Sequence, residues 1–288
     1  THLFSSERNI KKFIKNFKKK AIIVEDCAIN FGAKVENKKL GTLGDYGFYS
    51  FGIVKNLCCF NGGAITFKNS ADKNLFRTFL NNNTEFPHSK FFLIIIKGLL
   101  IDIFFNKYNY YISFFFLKII YKYKIKLIYN SIYPGLFNNF KNYTPKNYNY
   151  KFYDNISMSG IYGLLNIKKA HSERLKKINF YKNNLSKKFI KFIDFDSYYE
   201  NMFLEYPVIL KNKTNKEVTL KLLEKKIDIR HTWYLNNSKF RVYQNLDKYK
   251  NSEYIENHIL LLPTHRNYDS KSLKYLCQQI NKILDQNY

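Results

Sequence analysis

Arginine is scarce in this chain of 288 residues: 6 of its 48 basic residues are arginine, at Arg8, Arg77, Arg174, Arg230, Arg241 and Arg266, and the other 42 are lysine. Base-reading proteins depend on the planar, bidentate fork of arginine. Six scattered arginines make a poor reader, so a nucleic-acid partner is not expected despite a net charge of +26. The same rows are crowded with Phe (27), Tyr (25), Asn and Ile. Together with lysine, these are the residues that AT-rich codons supply, so much of the charge is read as compositional background.

Proline is also rare, at 5 residues, while hydrophobic residues make up 45%. That balance excludes disordered and collagen-like classes. The four cysteines (Cys27, Cys58, Cys59, Cys277) form no CxxC pair, and no His/Cys cluster has zinc-like spacing. Reduced thiols and a cytoplasmic location are the expectation. The opening THLFSSERN has no basic n-region followed by an apolar core, so no secretion signal is expected there. No apolar run reaches the ~20 residues needed to span a bilayer.

What is present reads as alternating helices and strands. Residues 7–20 place Ile10, Phe13, Ile14 and Phe17 at helical spacing. The run from Ala21 to Val24, closed by Glu25 and Asp26, resembles a buried parallel strand with acids at its carboxyl end. Open α/β sheets place ligands at that end. A glycine-punctuated stretch leads to FYSFGIV, then to a strand at 64–67 and a helix at 70–81. Residues 1–85 are thus expected to form part of a large α/β domain.

Residues 86–140 read as a helical, hydrophobic and basic insertion. One run, 91–105, is apolar apart from Lys97 and Asp102; a second, 110–129, sets Lys118, Lys122 and Lys126 among aromatics and isoleucines. Two readings stand side by side: an anchor lying in a membrane interface through 91–129, or a hairpin buried against the body of the protein or a partner subunit. Beyond a linker-like 138–154, residues 157–193 have helical periodicity. The tail alternates strand 203–210, helix 216–226, strand 227–234, strand 258–263 and helix 270–286. Residues 141–288 are expected to make a smaller α+β domain.

The block VEDCAINFGAKVENKKLGTLGDYGFYSFGIVKNLCCFNGGAITF (24–67) carries E-D-x-A, G-A, G-x-x-G-D-x-G, S-F, K-N-L and G-G-A in that order. In this it resembles the cofactor-binding core of the DegT/DnrJ/StrS family of pyridoxal-phosphate sugar aminotransferases. THLF, ISMSG (156–160) and LLLPTH (261–265) agree with family landmarks. The resemblance implies the aspartate-aminotransferase-type fold (fold type I). It also implies a homodimer that moves an amino group from glutamate to a nucleotide-linked ketosugar in polysaccharide or glycan synthesis.

Pyridoxal phosphate needs a lysine to tether it and an acid beside its pyridine nitrogen. Lys55, between Gly52-Ile53-Val54 and Leu57, suits the tether, because desolvation frees a nucleophilic amine. Asp26 suits the acid. By the family match, Ser50 would bond the cofactor phosphate, and Asn155, aligned with N-x-R-M-S, would reach the phosphate region of the neighbouring subunit. Some relatives are sugar dehydrases with His in place of the tethering lysine, and Lys55 argues against that chemistry. Two positions depart from the family pattern. Ile29 stands where Gln or His usually contacts the cofactor, and Ser157 replaces the Arg of N-x-R-M-S. The family's N-terminal part, with its phosphate-binding turn and stacking aromatic, is expected upstream of Thr1.

Overall fold

The computed structural model describes residues 1–4, 7–18, 20–104, 106, 108–123, 150–193, 201–229 and 249–286. The first half opens with α1 (Glu7–Phe17) and then alternates short strands: β1 (Val24–Asp26), β2 (Lys34–Val35), β3 (Lys38–Lys39), β4 (Tyr46–Ser50) and β5 (Gly63–Phe67). Three helices follow, α2 (Asp72–Asn81), α3 (His88–Phe104) and α4 (Tyr110–Lys122). The second half holds a 3-10 turn (Asp154–Ile156), α5 (Ser157–Asn184), β6 (Ile190–Phe192), β7 (Glu205–Leu210) and α6 (Asn215–Glu224). It closes with α7 (Lys250–His258), β8 (Ile259–Pro263) and α8 (Ser270–Asp285).

The site-bearing sheet has the order β1-β4-β5. Strand β1 runs parallel to β4, with Asp26 opposite Phe48, and β4 is antiparallel to β5, with Ser50 opposite Gly63. Asp26 and Ser50 therefore stand at the carboxyl ends of neighbouring parallel strands, where an open sheet offers its backbone ends to a ligand. The strand expected at 21–24 is shifted to 24–26. It is also not buried on both faces: Ile23, Glu25 and Cys27 point into the protein, while Ile22 (74%) and Val24 (54%) are exposed.

Two glycines make the sheet possible. Gly41 has φ of +87°, where a side chain is strained, and a Cβ on Gly47 would lie 2.6 Å from Gly41 Cα. The loop over β4 can approach this closely only because both positions lack a side chain.

The second sheet, β6-β7-β8, is antiparallel throughout, with Val208 opposite Leu260. On α8, Leu273, Leu276, Cys277, Ile280, Ile283 and Leu284 are buried at helical spacing against this sheet and α5. Tyr181 of α5 crosses the same core, and its hydroxyl donates to the Pro263 carbonyl at 2.8 Å. The expected helix at 157–193 ends instead at Asn184, and a strand sits at 190–192. The expected strand at 227–234 is not formed over 227–229, where Ile227 and Ile229 nevertheless fill the core; its remainder lies outside the described residues. Within the helical insertion expected over 86–140, the described residues form α3 and α4, while 124–149 lies outside the described residues.

Candidate active site

After β4 the chain makes a tight loop. Lys55 N–H donates to Gly52 carbonyl at 3.0 Å, Cys59 N–H to Phe51 carbonyl at 2.8 Å, and Phe51 N–H to Gly62 carbonyl at 2.9 Å. These bonds fix the loop without help from the Lys55 side chain. Lys55 is half-buried, and burial pulls its ammonium below the ordinary lysine range while the Asp26 carboxylate partly opposes that shift. Among the described residues neither Lys55 Nζ nor Ser50 Oγ makes a hydrogen bond or ion pair. A Cβ built on Gly52 would touch only Lys55 Cγ and Ser50 Oγ, each at 3.9 Å. The hydroxyl and the lysine stem thus flank one point beside Gly52, with Asp26 close enough to act on the amine.

Asp26 is held by its own turn. Its Oδ1 accepts from Ala28 N–H at 3.0 Å and its Oδ2 from Thr1 Oγ1 at 3.1 Å. Three of the four expected site residues are therefore gathered at one end of the sheet. Asn155 is placed apart from them: it is exposed in the 3-10 turn, and its Nδ2 donates to the Tyr153 hydroxyl at 3.0 Å. Ile29 contributes its carbonyl, which accepts from Asn56 Nδ2 at 3.0 Å.

Two residues that the sequence reading did not assign carry the architecture of the site. Glu25 is buried, and its carboxylate accepts from Leu43 N–H and Gly44 N–H at 2.6 Å each and from Gly41 N–H at 2.9 Å. His2 Nε2 adds a fourth contact at 2.9 Å. Burial works to raise the Glu25 carboxyl, but His2 and the backbone N–H groups of Gly44, Gly41 and Leu43 outweigh it and hold it below the usual carboxylate range. Cys27 lies beside this group, its thiol pushed up to about 12 by burial and by Glu25 and Asp26. His2, Glu25 and Cys27 bring three ligand-type atoms within 4.8 Å of one another, a cluster that sequence spacing did not reveal. Both Glu25 oxygens are already engaged by the loop, so here the group works as a clamp.

Asn56, the residue after Lys55, is the second. Its Nδ2 also donates to Met202 carbonyl at 2.7 Å, and its Oδ1 accepts from Arg174 Nη1. Arg174 further donates to Phe203 carbonyl at 2.9 Å, and burial lowers its guanidinium to about 10. The lysine loop is thereby tied to α5 and to the approach to β7. The signals were the Glu of E-D-x-A and the Asn of K-N-L, both visible in the motif but uninformative about their partners.

Known proteins give the arrangement a context. A sequence model of the DegT/DnrJ/EryC1/StrS aminotransferase family matches residues 10–95 and 126–281. No curated protein matches the chain. Among solved structures, a DegT DnrJ EryC1 StrS aminotransferase from Brucella abortus is similar at a TM-score of 0.64 and 16% identity, over 99% of this chain and 63% of that one. DesI, solved in the presence of its TDP-sugar product, is similar at 0.68 and 14% identity, over 99% and 61%. An E. coli GDP-4-keto-6-deoxy-D-mannose-3-dehydratase with bound hydrated PLP is similar at 0.61 and 15%, over 99% and 66%. At these identities the likeness establishes the fold, that of the fold type I pyridoxal-phosphate enzymes. The chain spans a little over three fifths of the length of these structures.

Proposed function

The chain belongs to the DegT/DnrJ/EryC1/StrS aminotransferase family, and we propose that it works as a pyridoxal-phosphate aminotransferase that moves an amino group from glutamate to a nucleotide-linked ketosugar. Synthesis of surface polysaccharide or other glycan is the setting this chemistry suits, and a homodimer the assembly. The observation that carries the reading is that Lys55 and Ser50, neither hydrogen-bonded among the described residues, converge beside Gly52, with Asp26 near enough to act on the Lys55 ammonium.

These residues fit the cofactor. Lys55 offers an amine whose protonation burial disfavours, Asp26 an acid already oriented by Ala28 N–H, and Ser50 a free hydroxyl for a phosphate oxygen. When bound, pyridoxal phosphate supplies a carbonyl carbon to carry the amino group and a ring to withdraw the electrons left by a departing Cα proton. Asp26 would keep the pyridine nitrogen protonated. Lys55, freed by the incoming amine, would take the proton from the substrate Cα and deliver it to the cofactor's C4′, acting as general base and then general acid. Burial, which lowers its affinity for protons, favours the free amine that both tasks need. Asn155, exposed at the start of α5, is free to face a second subunit.

The amino donor is testable without any sugar. Incubation of the pyridoxal-phosphate-loaded protein with L-glutamate alone is expected to release 2-oxoglutarate stoichiometrically with sites and then stop. Addition of a nucleotide-linked 4-ketosugar should restart release. A protein that gives no 2-oxoglutarate, or gives it without loaded cofactor, contradicts the reading.

A further inference from the structure

Among the described residues, the α3–α4 hairpin presents an exposed apolar surface. On α3, an inner face approaches the Phe60 loop: Gly98 is buried, and a Cβ there would meet the Phe60 ring at 2.8 Å. The outer face carries Phe92 (64% exposed), Leu93 (65%), Ile96, Leu99 (54%), Leu100 and Ile103, one above another at helical spacing. On α4, Ser113 and Phe114 turn inward, while Tyr111 (66%), Ile112, Phe115 (60%) and Phe116 face out. The hairpin is anchored at its turn, where Ser113 Oγ donates to Phe104 carbonyl. It also meets the second half through Lys226 over the Tyr111 ring at 4.2 Å and Arg266 with Asp102 at 3.8 Å. An outward apolar stripe of this kind marks an interaction surface rather than ordinary scattered exposure.

Three observations decide the occupant. Residues 96–125 fall outside the family match, so the surfaces that family members share do not require this element. The segment 88–126 carries seven lysines against the single acid Asp102, interleaved with Phe, Tyr and Ile. Apolar side chains that insert and lysines that stay at the headgroups are the chemistry of an anionic lipid interface. Finally, no described helix is long and apolar enough to cross a membrane. The 17 residues of α3 reach about 25 Å at 1.5 Å per residue, less than the ~30 Å hydrocarbon core. A helix of this length, with Lys97 and Asp102 within it, is too short to span that core.

We propose that the α3–α4 hairpin is an interfacial anchor that seats this protein on an anionic membrane surface, with Phe92, Leu100, Phe115 and their neighbours inserted and the exposed Lys97 at the headgroups. The anchor is independent of the cofactor site and stands whether or not that site transfers amino groups.

The test is sedimentation of the full chain with phosphatidylcholine vesicles that contain phosphatidylserine. The wild-type chain is expected to co-sediment, and much less with phosphatidylcholine alone. Leu100→Asp with Phe115→Asp should lower the partition coefficient about tenfold or more, given the apolar surface no longer buried in lipid. Both positions are exposed, so unchanged circular dichroism is expected to show that the variant folds. No wild-type sedimentation, equal sedimentation of wild type and double variant, or equal binding to neutral vesicles overturns the anchor. A lipid-free oligomer that the double variant alone dissolves also overturns it, assigning the face to a second copy.

Discussion

Lys55→Ala is expected to remove the near-visible absorbance that pyridoxal phosphate acquires on this protein and to lower amino transfer on the order of ten-thousand-fold. The magnitude combines loss of the tethering amine with loss of the acid–base step, which alone is worth about 10²- to 10⁴-fold. The same change should cost little stability. Lys55 has no hydrogen-bond or ion-pair partner among the described residues, and its half-buried ammonium is penalised by burial. The loop around it is closed by backbone bonds that alanine preserves. A variant with wild-type urea midpoint and no absorbance band is therefore the predicted pair of readings. Lys55→Arg should also fail to give the band, since a guanidinium stays protonated and cannot act as the nucleophile. An undiminished band in either variant sinks the assignment.

The largest structural effect is expected at Glu25. Replacement by Gln leaves a neutral group facing three backbone N–H donors at Gly41, Leu43 and Gly44, with His2 on the fourth side. An amide can accept from one side only, and its own N–H₂ would meet donors on the other. Loss of stability of about 3 kcal/mol is expected, as for a broken buried charged network. The amides of residues 41–44 should lose protection from hydrogen exchange before those of β7 or α8. The sign of the pH effect follows from the carboxyl being held below its ordinary range. The stabilisation from Glu25 is fully present above the unfolded-state value near 4.5 and disappears as the pH falls through the lower folded-state value. Wild type should thus lose its advantage over Glu25→Gln in acid. A variant with unaltered urea midpoint at neutral pH contradicts the clamp.

Much of this arrangement was legible before the fold was seen, and the reasons are specific. Helix α6 begins with a reciprocal cap between Thr214 and Glu217, and α8 with Asp269 accepting from Ser272 N–H at 2.8 Å; both boundaries follow from short-range chemistry. Strands β7 and β8 are apolar runs of the right length. Strand β6 is three residues long, and α7 is polar (KNSEYIENH), so neither generates a period that can be read. Helix α5 ends at Asn184 without a glycine or proline to announce it. For the candidate site, Lys55 and Asp26 were picked out by what the cofactor's chemistry requires, and Ser50 by the family match. Glu25 and Asn56 escaped because most of their partners are backbone groups brought near by folding, and backbone groups look the same in every sequence. The hairpin shows the same limit from the other side. Periodicity alone left 91–129 between an interfacial anchor and a buried hairpin, and only the fold separates the α3 face against Phe60 from the face in solvent.

One lysine among 42, Lys55, is set apart by its surroundings. The most direct measurement is reduction of the pyridoxal-phosphate-treated protein with borohydride, followed by proteolysis and mass spectrometry. The added pyridoxyl-phosphate mass is expected on the peptide carrying Lys55, at near-stoichiometric yield, with the other lysines labelled only in trace. Label spread evenly over surface lysines, or concentrated on a lysine outside the 52–62 loop, would contradict it.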